Sequence, residues 1–165
     1  IEGGGKVILP EPQALLTPEA KLPGTDGQKM SKSYNNTIFL REEPDSVSQK
    51  VRRMQTDPAR VRRSDPGDPD KCPVWQLHAI YSDQDVKDWV QDGCRNATIG
   101  CLDCKKPLEE KVIAEQKVFR DRAREYENNP DLVRSIMDEG CDRARVQARD
   151  TLQEVRRVMG LEYRR

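Results

Sequence analysis

Over the final third of the chain, apolar side chains recur every three, four or seven residues, a spacing that admits little besides long helices. Leu108, Val112, Phe119, Ala123 and Tyr126 fall on one stripe, the period of a helix that buries one face. Asn129-Pro130 interrupts the pattern and restarts it. Ile136, Cys141, Ala144, Ala148, Leu152, Val155 and Met159 then form a second stripe that ends near Gly160. Its alanines allow close helix approach, and Cys141 reads as a small buried hydrophobe. Upstream, the pattern predicts a helix from about Pro44 to Met54, since proline is tolerated in a first turn, with Thr56-Asp57-Pro58 as its stop. A turn-rich run over 64–69 leads to Pro73 and the apolar Trp75, Leu77, Ile80 and Tyr81. Ser82 with Asp85 resembles a capping box for a short helix through Val86, Trp89 and Val90 that stops near Gly93. The expected fold is mainly α. Aromatic residues are only 5% of the chain, charged residues are 35%, and mean hydropathy is -0.91, which suits a charged helical bundle better than a β-sandwich.

Residues 1–36 carry glycine and proline at short intervals and read as a loop-rich segment, with one strand candidate from Lys6 to Leu9. The 29 basic residues balance 29 acidic ones, so net charge predicts no general affinity for nucleic acid and no role in binding DNA. Any RNA contact must come from a local patch. Lys50, Arg52, Arg53, Arg60, Arg62 and Arg63 face a single acid, Asp57; they read either as a phosphate-binding surface or as an ordinary solvated face. Farther on, Arg143, Arg145, Arg149, Arg156 and Arg157 interleave with Asp142, Asp150 and Glu154, which reads as intrahelical pairing. No long apolar run occurs and the start lacks a basic-then-apolar signal, so a soluble, cytoplasmic protein without a membrane partner is expected.

Two groups of residues carry chemistry. The first is Lys29-Met30-Ser31-Lys32-Ser33, flanked by Gly24, Asp26 and Gly27 before and Tyr34-Asn35-Asn36 after. Two ammonium groups three residues apart, with hydroxyls between them and glycines before them, suit the oxygens of a nucleotide triphosphate. Lys-x-x-Lys by itself reads as a surface turn. The second group is Cys72, Cys94, Cys101 and Cys104, spaced C-x21-C-x6-C-x2-C. Cys101 and Cys104 can reach one metal, and a loop from Cys94, freed by Gly93 and Gly100, can curl onto the same point. Disulfides do not suit a cytosolic chain. The residues leave open structural zinc, an iron–sulfur cluster and four unrelated buried thiols. His78, beside the apolar run, reads as a packed or surface histidine rather than a ligand.

The pentapeptide in its glycine setting resembles the signature KMSKS loop of class I aminoacyl-tRNA synthetases, and Pro10 through Asn36 is similar to the tryptophanyl members. The stretch GCRNATIGCLDCK, from Gly93 to Lys105, resembles the cluster loop of a bacterial subset that binds a [4Fe-4S] cluster through four cysteines. The subset's first interval can be one residue longer than Cys72 to Cys94, a difference that falls in the variable stretch 82–93. The resemblance implies that residues 1–40 are the edge of a Rossmann catalytic domain lying upstream, and that residues 41–165 form a helical anticodon-binding bundle. The opening at Ile1 without methionine agrees with that expectation. It further implies ATP with magnesium, tryptophan and tRNA(Trp) as partners, a homodimeric parent, and a segment inactive alone. Lys29 and Lys32 would be catalytic, Met30, Ser31 and Ser33 would hold ATP, and Cys72, Cys94, Cys101 and Cys104 would hold the cluster, or zinc instead. Two other readings stand beside it: a stand-alone metal-stabilised RNA-binding module, and a class I synthetase of another specificity, tyrosine being the nearest.

Overall fold

The computed structural model describes residues 2–3, 6–17 and 21–161. The chain divides into two compact units, one of Leu16–Ala123 and one of Ile1–Leu15 with Arg124–Arg165. Among the described residues no helix is long and apolar enough to cross a membrane.

In the unit Leu16–Ala123, helix α1 (Pro44–Arg53) starts on its proline and closes at Met54, as its sequence predicts. Asp45 in its first turn and Arg52 and Arg53 in its last complement the helix dipole. Val47 and Val51, four residues apart, are its buried face. Glu42 pins the approach: Oε2 accepts the Phe39 N–H at 2.9 Å and Oε1 pairs with Lys50 at 2.6 Å. Helix α2 spans Pro73–Tyr81 and α3 spans Gln84–Arg95. The expected capping box does not form. Ser82 closes α2 instead, its hydroxyl 2.7 Å from Nδ1 of His78, and Asp83 precedes α3.

Helix α4 (Cys101–Glu127) carries Leu108 and Val112 into the core. There they join Val47, Val51, Met54, Cys72, Val74 and Leu77. The stripe is buried only over its first half, since Phe119 and Tyr126 are exposed. Leu108 is fully buried at 0% exposure, so Leu108→Ala is expected to cost about 2–5 kcal/mol in denaturant unfolding, the range for cavity-forming truncations.

The other unit contains a minimal hairpin, β1 (Glu2–Gly3) antiparallel to β2 (Lys6–Val7), shorter than the strand expected to reach Leu9. Helix α5 (Pro130–Val158) starts where Asn129-Pro130 predicts, with Asn129 Oδ1 accepting the Leu132 N–H at 3.1 Å. Gly160, at φ +68°, ends it. Arg145 pairs with Asp142 at 2.8 Å and Arg143 with Glu139 at 3.9 Å. No described residue of α5 is buried, and Cys141 is exposed, which corrects its reading as a core residue. Periodicity identifies which face of a helix is apolar; it does not supply the surface that covers that face.

Candidate functional site

The loop around Lys29 is organised from beneath by Asn36, which is 2% exposed. Its amide nitrogen donates to Asp26 Oδ1 at 2.7 Å and to the Lys29 carbonyl at 3.1 Å. Its amide oxygen accepts the Ser31 N–H at 2.7 Å, and its backbone carbonyl accepts the Thr25 N–H at 2.9 Å. The Asn36 amide holds the Asp26 carboxyl below its ordinary value. The two glycines differ in role. Gly27 has φ +79°, a turn that other residues rarely adopt. Gly24 lies against Asn36, where a Cβ would come within 2.3 Å of the amide, so it serves close approach.

This frame leaves Lys29 and Lys32 exposed, and among the described residues neither ammonium has a hydrogen-bond or ion-pair partner. Lys32 opens a single helical turn through Tyr34, which Asn35 closes at φ 53°. The hydroxyls of Ser31 and Ser33 are 2.8 Å apart. Met30 is half-buried and lines an apolar cavity of about 250 Å³ with Leu22, Ile38, Leu77 and Phe119. The loop is tied to the end of α1 by the Gln55 N–H on the Thr25 carbonyl, 3.0 Å.

The cysteine region departs from the expected loop. Cys72 precedes α2, Cys94 lies in the last turn of α3, and Cys101 and Cys104 occupy the first turn of α4, one above the other. Between Cys94 and Cys101 only residues 96–100 are non-helical. Ala97 turns at φ 57°, while Gly93 lies inside α3, where a Cβ would meet Ile99 at 2.8 Å. Gly67 makes room for the sulfur of Cys94, since its Cβ would lie 2.6 Å from Sγ.

Cys104 lies within electrostatic reach of Cys72, Cys94 and Cys101, and Cys94 within reach of Cys72 and Cys101. Burial pushes Cys104 up to about 12, reinforced by Cys72, Cys94 and Cys101. Burial also raises Cys94, against the opposing pull of Arg60. Metal-free, such thiols stay protonated, and a metal would release their protons on binding. Among the described residues no three His, Cys, Asp or Glu side chains are grouped closely enough to hold a single metal ion.

Two cations border this region: Arg60, read from the sequence as part of an exposed basic patch, and Lys105, which sequence reasoning did not single out. Arg60, 8% exposed, donates Nη1 to Cys94 Sγ at 3.7 Å and Nη2 to the Ile99 carbonyl at 2.5 Å. Its Nε is buried without a partner, an orphaned donor beside a thiol. Lys105, 4% exposed, follows Cys104 directly; burial lowers its pKa, and Cys101, Cys72 and Cys104 oppose that shift. An orphaned donor and two buried cations thus lie beside the cysteine-bearing turns of α3 and α4. His78 is fully buried, its Nε2 3.1 Å from the Cys104 carbonyl. Burial lowers its pKa, as suits a neutral packed ring.

Of the basic residues expected to face RNA, Arg52, Arg53, Arg62 and Arg63 are exposed. Arg60 is not part of that surface, and Lys50 is engaged by Glu42 and the Thr37 carbonyl. Asp57, their single acid, is buried and staples the segment, accepting the N–H groups of Ala59 and Asp68 at 2.9 and 2.8 Å.

A helical fold behind an exposed two-lysine loop defines a class. Residues 2–117 match the family of tRNA synthetases class I (W and Y), and the chain belongs to that family. Its relatives include the tryptophan–tRNA ligase of Ralstonia nicotianae, 58% identical across 99% of this chain and 41% of that protein. The tryptophan–tRNA ligase of Thermotoga maritima is 46% identical across 94% of this chain and 48% of that protein. The fold is similar to that of tryptophanyl-tRNA synthetase from Campylobacter jejuni, solved with ADP and tryptophan. The TM-score there is 0.75 at 29% identity, covering 97% of this chain and 49% of that one. The chain thus spans about half the length of the relatives it matches, or somewhat less.

Proposed function

We infer that this chain is part of a tryptophan–tRNA ligase, which joins tryptophan to tRNA(Trp) with ATP and magnesium. Residues 1–40 are the edge of its catalytic domain, and residues 41–165 are its anticodon-side helical domain. The observation that carries the reading is the pair of exposed ammonium groups of Lys29 and Lys32, without a partner among the described residues, on a loop braced by buried Asn36. In the activation step the tryptophan carboxylate attacks the α-phosphorus of ATP, and the bond to the bridging oxygen of pyrophosphate breaks. Negative charge grows on that leaving group, so a cation placed there stabilises the transition state more than the ground state. Lys29 and Lys32 supply those charges. The hydroxyls of Ser31 and Ser33 add donors to the phosphates, and Met30 holds the loop to the apolar cavity as it moves over the nucleotide.

The specificity reading favours tryptophan over tyrosine because the relatives of highest identity reported above are tryptophan–tRNA ligases. Amino-acid-dependent exchange of pyrophosphate into ATP tests it in the full-length protein, which on this reading is a homodimer. Exchange is expected with tryptophan and absent with tyrosine; exchange driven by tyrosine overturns the specificity.

Cys72, Cys94, Cys101 and Cys104 are the ligand set of a [4Fe-4S] cluster. Support comes from the electrostatic reach of Cys104 to the other three thiols and from the orphaned Nε of Arg60 beside Cys94. Zinc on the same four thiolates, with bonds near 2.3 Å, is the alternative reading. When bound, such a cluster supplies a compact anionic knot that ties α2, α3 and α4 together. The exposed Arg52, Arg53, Arg62 and Arg63 next to it supply cations for the tRNA backbone.

A further inference from the structure

Met30 lines the apolar cavity of about 250 Å³, all of it inside the unit Leu16–Ala123. Three elements wall this space. The loop and the arm that follows it give Met30 and Leu40, α2 gives Leu77 and Tyr81, and α4 gives Gln116 and Phe119. Leu40 and Phe119 are exposed and leave a way in. Gln116 breaks the apolar lining. It is 5% exposed, and the backbone orients its amide: the Phe39 carbonyl can only accept, so Nε2 faces it, at 2.9 Å. Oε1 is then buried with no hydrogen-bond partner among the described residues. Buried acceptors of that kind are uncommon in native folds, and each one needs a reason. Two features narrow the chemistry that would meet it. A dry cavity of about 150 Å³ takes benzene, so 250 Å³ has space for two fused rings. Glu115 also lines the cavity, and its carboxylate disfavours an anion.

We propose that this cavity is a binding site for a small, neutral, flat molecule of one or two rings that carries an N–H or O–H donor. The rings fill the apolar space beside Leu77, Tyr81 and Phe119, and the donor answers Gln116 Oε1. Because the same amide already holds the Phe39 carbonyl, the two bonds reinforce each other. The occupant also packs on Met30, which stands between Lys29 and Lys32 in the chain. It therefore restrains the loop that carries both ammonium groups. That consequence rests on the ligase reading given above; the site itself does not.

The test is titration of the full-length protein with β-naphthol and with naphthalene, which lacks the donor. Saturating tryptophan is present throughout, so that its own pocket is filled. The readout is the nuclear magnetic resonance signal of the Met30 methyl group, assigned with Met30→Leu. β-Naphthol is expected to shift that signal saturably. It is also expected to bind about tenfold more tightly than naphthalene, the order of one hydrogen bond to an otherwise unpaired buried acceptor. In Gln116→Leu the preference is expected to vanish while both probes still move the Met30 signal. If Gln116→Leu does not fold, the preference in wild type decides alone. A Met30 signal unmoved by β-naphthol overturns the proposal, as does equal affinity of wild type for the two probes. A second assay separates the site from the ligase reading. β-Naphthol is expected to slow tryptophan-dependent pyrophosphate exchange at the concentrations that shift Met30, and exchange indifferent to it overturns the restraint on the loop. Protein that shows no such exchange even without the probe overturns the ligase reading and leaves the site standing on the Met30 titration.

Discussion

Replacing Lys32 with alanine in the full-length protein is expected to slow tryptophan-dependent pyrophosphate exchange by about 10²–10³-fold, the usual loss when one preorganised group facing transition-state charge is removed. Tryptophan affinity should not change, because the ammonium meets charge on the leaving pyrophosphate and makes no contact with the amino acid. The structure gives a reason to expect a clean result. Lys32 is exposed and has no partner among the described residues, so its removal breaks no bond within the fold. The frame beneath it, Asn36 with Asp26 and Ser31, stays intact. A fall in rate with unchanged tryptophan binding assigns the residue to the transition state. An unchanged rate removes Lys32 from the mechanism.

Cys101→Ser is the second change with a large expected effect. Structural zinc in zinc-finger peptides binds with roughly 10–16 kcal/mol at neutral pH; for a four-thiolate centre of that order, loss of one ligand in four removes several kcal/mol of metal binding. The variant is expected to lose its metal and, with it, much of the thermal stability of the unit Leu16–Ala123. Cys101 is half-buried and outside the apolar core cluster, so packing accounts for little of the change. Cys141→Ser is the matched control. Its thiol is exposed on α5, and its replacement should alter neither metal content nor melting. Equal metal content in the two variants would show that Cys101 is no ligand.

Much of this architecture was legible in the chain. Helix α1 begins at Pro44 and α5 at Pro130 because proline fits a first turn, and Asn129 caps α5 as its position implies. The KMSKS motif and the four cysteines stand out by residue type alone. Other features were not legible, for identifiable reasons. Gly93 and Gly100 suggested a flexible cysteine loop, yet Gly93 serves the close packing of Ile99 on α3. A glycine that allows contact and a glycine that allows a turn look alike in sequence. The burial of Arg60, read as a surface cation, and of Lys105 was hidden in a chain of which charged residues make up 35%, since burial of a cation depends on partners distant along the chain. Asn36 was concealed in the same way: it looked like one residue of a polar flank, and it is the post around which the loop folds. On α5 the apolar stripe was visible, but its exposure was not.

The claim on which the cysteine centre and the stabilising role of Cys101 both depend is that four thiolates hold one cluster. Anaerobic purification of the full-length protein, followed by a visible absorption spectrum and iron, sulfide and zinc analysis on one sample, tests it most directly. The account predicts brown protein carrying four irons and four sulfides per chain, consistent with a [4Fe-4S] centre on four cysteines. Colourless protein with a single zinc, or with neither metal under nitrogen, would contradict it.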